Sequence, residues 1–282
     1  MKKKILVIFS IIAVLIIATL AYLASPYDSQ YKAHDLERKA LKAYFDGNTD
    51  EYLKNLDNPT TIKYHFAQNL VLVNEYALIG KYDDAQRVIE SFKKHVDYSA
   101  CIKHKPAERA ICRIDAMFLS ATPPQINYDK NFQLAKLYYQ KGDYDKSLEY
   151  NSKAKKKYSC FDATLYARAG MMDQAEESLK LCEKSQEFNK NKKSLYTAQG
   201  VLFIEQKKYN EALNEFNKYL DSTKCGKGKF QKCRGNNEVY IYMAEALVKT
   251  GKNNEAKKYY EKVLKTEPQN IKAKNGLQLL KK

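Results

Sequence analysis

Residues 240–268 read YIYMAEALVKTGKNNEAKKYYEKVLKTEP. Apolar side chains recur at helical spacing on both sides of Thr250-Gly251-Lys252, so the stretch reads as helix, tight turn, helix. Ala244 and Ala256 lie twelve positions apart, one on each arm. Small side chains there let two antiparallel backbones approach closely. Gly251, seven residues after Ala244, supplies the left-handed conformation that ends the first helix.

The same offset recurs along the chain. Ala40, Val73, Ala135, Ala163, Gly200 and Ala244 are each followed twelve positions later by Tyr52, Ala85, Ser147, Ala175, Ala212 and Ala256. Gly47, Gly80, Gly142, Gly170 and Gly251 mark the turns, and Lys207 replaces glycine in the remaining unit. Tyr82, Tyr144, Met172 and Tyr209 stand two residues past the turn and cover the open end of each hairpin. Asp83, Asp84 and Asp145 open second helices, where the helix dipole favours negative charge.

These units resemble tetratricopeptide repeats. The match is Tyr240-x-x-Met243-Ala244-x-x-Leu247, then Ala256-x-x-x-Tyr260, then Pro268, against the pattern W-x2-L-G-x2-Y…A-x3-F…P. Asn131-x-x-Leu134-Ala135-x-x-Tyr138, and Gly200-x-x-Phe203 with Ala212-x-x-x-Phe216, repeat parts of it. The resemblance covers most of residues 31–280. It implies an all-α fold, a right-handed solenoid of about six helical hairpins, whose first helices line a concave face that binds other chains.

The second-helix markers are spaced 33, 62, 28, 37 and 44 residues, where a regular array shows about 34. The long gap is expected to hold a degenerate hairpin half at 101–122, ending at Pro123-Pro124. The last gap contains an insertion, 222–236, framed by Cys225 and Cys233. It holds Lys224, Lys227, Lys229, Lys232 and Arg234 with no acidic residue, a compact basic loop suited to an acidic partner or anionic lipid. The expected organisation is therefore 1–25, a tip and anchor; 26–122, partly degenerate hairpins; and 123–282, the solenoid with its insertion.

Met1 is followed by Lys2, Lys3 and Lys4, and residues 5–24 carry no charge. Twenty apolar residues span about 30 Å, a bilayer core. Cleavage after Ala24 places Tyr22 at the −3 position, a poor signal-peptidase site, so an uncleaved anchor is expected over a cleaved signal. The lysines hold the N-terminus in the cytoplasm and the body outside it. That predicts a single-pass protein of a bacterial inner membrane with its C-terminal body in the periplasm or otherwise outside the cytoplasm. Cys101, Cys112, Cys160, Cys182, Cys225 and Cys233 are then an even set in an oxidising compartment. Fifteen connectivities are open, and pairing of sequence neighbours is the simplest. Cys160 near the start of one helix and Cys182 near the end of its antiparallel partner fall within disulfide reach.

The formal charge is +16, from 49 Lys plus Arg against 33 Asp plus Glu. Only six residues are Arg. Nucleic-acid recognition favours the guanidinium fork, so a lysine excess points away from it. Gly 10 and Pro 6 are too few for a sandwich or barrel, which need a turn about every 8–12 residues. His34, His65, His95 and His104 lack metal-ligand spacing, no C-x-x-C occurs, and no catalytic motif is present. No enzyme activity, metal or cofactor is expected. On the first helices, Asn74, Lys136, Tyr139, Gln140, Val201, Glu205, Tyr242, Glu245 and Lys249 are the candidate groove residues. They are polar and aromatic with both charge signs, and lack the Lys and Asn constellation with which some relatives clamp a terminal carboxylate. The expected function is a membrane-tethered extracytoplasmic adaptor for protein partners, of the kind the resemblance places in envelope assembly or secretion. The alternative is an envelope-structural protein whose basic surface binds peptidoglycan or anionic lipid.

Overall fold

The computed structural model describes residues 35–36, 38–40, 42–43, 46, 48–58, 66–91, 129–186, 192–223 and 236–281. The expected anchor at 1–25, the candidate disulfide residues Cys101, Cys112, Cys225 and Cys233, and the basic-loop residues Lys224, Lys227, Lys229, Lys232 and Arg234 lie outside them. Among the described residues there are helices and no strand, and no helix is long and apolar enough to cross a membrane.

The helices are α1 (Thr49–Leu56), α2 (Phe66–Leu78), α3 (Tyr82–Ser91), α4 (Lys130–Lys141), α5 (Tyr144–Ser152), α6 (Ser159–Arg168), α7 (Met172–Gln186), α8 (Lys193–Glu205), α9 (Tyr209–Ser222), α10 (Asn237–Lys249), α11 (Asn253–Thr266) and α12 (Ile271–Leu279). The chain divides into two compact units, Met1–Glu75 with Arg87–Pro123, and Tyr76–Gln86 with Pro124–Lys282. In the first, Tyr52, Leu53 and Leu56 form the buried side of α1, and Asp57 beyond its end pairs with Arg87.

In the second unit α4 packs on α5, α6 on α7, α8 on α9 and α10 on α11, and neighbouring pairs stack through α6 with α8 and α9 with α10. The turn chemistry explains the pairing. Gly142 donates to the Tyr139 carbonyl and Asp143 to that of Tyr138, the two bonds of a Schellman cap. The same two bonds recur at Gly80 and Lys81, Gly170 and Met171, Lys207 and Lys208, and Gly251 and Lys252. Gly47 lies outside the described residues; the other four turn glycines have φ between 74° and 85°, and Lys207 adopts the same left-handed turn at φ 61°. A lysine holds that conformation only because the hairpins on either side dictate it.

The twelve-residue offset is a physical contact. The Ser147 hydroxyl donates to the Ala135 carbonyl at 2.7 Å, tying α5 to α4 at the paired markers. Gly200 lies directly beneath the Phe216 ring, which would stand 2.3 Å from a Cβ there, and Phe216 is fully buried. Ala135, Ala163, Ala175, Ala212, Ala244 and Ala256 are likewise fully buried. Around Phe216 one apolar cluster joins Val201, Leu202, Val239, Tyr242 and Met243 across α8, α9 and α10.

Cys160 and Cys182 are bonded, with Cα atoms 4.8 Å apart, as the antiparallel ends of α6 and α7 led one to expect. Cys182 stands seven residues past Ala175, the register of Val263 after Ala256; Cys160 stands three before Ala163, the register of Ile241 before Ala244. The bridge thus occupies the positions that Ile241 and Val263 fill, in the last hairpin, with apolar side chains of one cluster.

Candidate functional site

The first helices of successive hairpins bring their last turns together on the inner side of the second unit. Arg168, the last residue of α6, is the centre. Its Nη1 donates to Glu205 Oε1 at 2.6 Å and to Glu245 Oε1 at 2.7 Å, and its Nη2 to Glu245 Oε2 at 2.6 Å. One guanidinium therefore ties α6 to α8 and α10. Its side chain is only 9% exposed, while the two carboxylates keep 29% and 31%. Burial works against the charge on Arg168, but the hydrogen bond and charge of Glu245 outweigh it and hold the guanidinium protonated more firmly than usual.

A second tie lies beside it. The hydroxyls of Tyr139 on α4 and Tyr242 on α10 are 3.1 Å apart, and the Tyr242 hydroxyl donates to Glu238 at 2.8 Å. The Tyr242 ring lies 5.4 Å from the Arg168 guanidinium on one side and stacks on Phe216 on the other. Burial raises the pKa of both phenols, so both stay neutral donors. Lys272 on α12 is accessible to water yet closely walled by protein. That desolvation pushes its amine below the usual lysine range; Glu238 and Glu245 pull the other way, while Arg168 adds to the fall.

The structure thus gathers four candidate groove residues, Tyr139, Glu205, Tyr242 and Glu245, into one network. Two expectations need correction. Val201 does not line a groove: it is fully buried in the cluster around Phe216. Tyr139 and Tyr242 are not open walls either. They are buried, and their hydroxyls meet between α4 and α10. Lys136 and Gln140 on α4 are half-buried, the Gln140 carbonyl lying 3.5 Å from the Tyr82 hydroxyl, and Lys249 on α10 is exposed. Asn74 is exposed on α2, in the first unit.

Arg168, Glu238 and Lys272 were not among the candidates. Arg168 was available from the register alone. It stands five residues after Ala163, as Gln140, Glu205 and Lys249 stand five after Ala135, Gly200 and Ala244. Glu238 carries no such signal; it joins the network by accepting from the Tyr242 hydroxyl one turn further along α10, and Lys272 lies near it on α12.

A family model described as tetratricopeptide repeat matches residues 237–270, which comprise α10, α11 and the turn to α12. No curated protein matches the chain. The matched repeat and the helical hairpins before it support a protein of tetratricopeptide-repeat type, a class that generally binds protein partners.

Proposed function

We propose that the chain is a membrane-tethered adaptor whose helical hairpins hold a protein partner outside the cytoplasm, in the assembly of an envelope or secretion complex. The observation that carries the reading is the matched repeat at 237–270 standing at the end of a series of hairpins with one register. Stacked hairpins present their first helices side by side, a surface suited to an extended chain. On those first helices Lys249 is exposed and Lys136 half-buried, charges that can orient a peptide.

Export is supported by chemistry. Disulfides persist in oxidising compartments, and Cys160 and Cys182 form one. The uncharged run at 5–24 behind three lysines supplies the tether and its orientation. A reporter enzyme fused after Lys282 is expected to be active only outside the cytoplasm; activity inside contradicts the localisation. Chemical crosslinking of whole membranes, then purification of the chain, is expected to recover a discrete set of partner proteins. Recovery of the chain alone contradicts the adaptor.

A further inference from the structure

We propose that the inner face of the second unit is locked shut by its own side chains, with Arg168 as the bolt, and that releasing this lock admits the partner. The inference rests on the reading above that this face receives protein.

In a solenoid each unit touches its neighbours, so inner residues of distant units stay apart. Here they meet. Tyr139 and Tyr242 share a hydroxyl contact although two whole hairpins, α6–α7 and α8–α9, separate their helices in the chain. A second closure is independent of the first: a Cβ on Gly80, in the turn before α3, would lie 3.6 Å from Ile271 at the start of α12. Arg168 spans the same face, its guanidinium bonded to Glu205 on α8 and to Glu245 on α10. The surface a partner would need is occupied by this chain.

The lock is built from groups that can let go. The Glu205 and Glu245 side chains keep about a third of their surface in water, so salt and competing charges reach them. The hairpins themselves rest on fully buried apolar contacts, Phe216 on Gly200 and Val263 with its neighbours. Exchanging the partners of Arg168 therefore opens the inner face while each hairpin stays folded. Where the shut form dominates tenfold, the apparent affinity for a partner falls about tenfold, and the partner's binding energy opens the lock.

The test uses the full chain in three forms: Arg168→Met; Tyr139→Phe with Tyr242→Phe, which keeps the rings and removes only the hydroxyls; and the swap Arg168→Glu with Glu245→Arg, which can rebuild the bridge. Hydrogen exchange is followed in peptides from α4, α10 and α7, beside far-UV helicity. A phage-displayed random dodecapeptide library is selected on the Arg168→Met chain, and the winners are titrated against all forms.

The expected result is about tenfold faster exchange in α4 and α10 of the first two forms, with α7 and helicity unchanged and the swap reversing the effect. The selected peptides bind Arg168→Met about tenfold more tightly than the unaltered chain. Unchanged exchange in α4 and α10 of the tyrosine variant, or equal peptide affinity for open and unaltered chains, overturns the lock. If Arg168→Met does not fold, the tyrosine variant takes its place in both measurements. Faster exchange with no peptide enriched supports the lock and overturns the protein-binding reading on which it was built.

Discussion

Phe216→Ala is expected to destabilise the second unit by about 3–5 kcal/mol, the range for emptying a fully buried aromatic site. Phe216 is completely buried; its ring covers Gly200 on α8 and stacks on Tyr242 of α10. Its loss therefore unseats three helices together. The urea midpoint should fall, and exchange should rise in α8, α9 and α10 before it does in α4. The reciprocal change locates the contact. Gly200→Ala gains about 1 kcal/mol of helix propensity, but its Cβ would stand 2.3 Å from a ring with no room to retreat. Overpacking of that kind costs about 1–3 kcal/mol, so the single change destabilises. Combined with Phe216→Leu it should cost less than the two changes summed, the sign of direct contact.

Removing the Cys160–Cys182 bridge has the next largest expected effect, about 3 kcal/mol from the freedom returned to the closed loop of 22 residues. The loss should be local, because an array of repeats unfolds by neighbours rather than as one body. α6 is the exposed point. Tyr158 provides no side-chain cap for its first turn, and the bridge at Cys160 is the covalent tie that holds that turn to α7. Cys160→Ala with Cys182→Ala, or reduction of the intact chain, should raise exchange across Ser159–Gln186 while α10 and α11 stay protected. Equal protection with and without the bridge would show that packing alone holds this hairpin.

Much of the fold was readable because one register carries it. The twelve-residue offset became the bond from Ser147 to Ala135, and the seventh-residue glycine became a left-handed cap at four turns, with Lys207 following at the fifth. The disulfide was readable from helix ends that antiparallel packing must bring together. The closed inner face was not. Small rotations between hairpins accumulate over several units before Tyr139 meets Tyr242, and no residue pattern within one unit records that sum. Val201 is a separate case: one residue past its marker it reads as a groove position, but it packs locally into the core around Phe216. Arg168 was a different omission: its place five residues after Ala163 already matched Gln140, Glu205 and Lys249, and only the register had to be followed through every unit.

The central claim is that the side lined by first helices is where a partner is held. A photoreactive benzoylphenylalanine placed at Lys249, exposed at the rim of that side, tests it against the same probe at Leu181, 56% exposed on the second helix α7. With the full chain illuminated in its own cells, the probe at Lys249 should yield discrete adducts with other proteins and the probe at Leu181 should not. Adducts from Leu181 alone, or equally from both positions, would contradict the account.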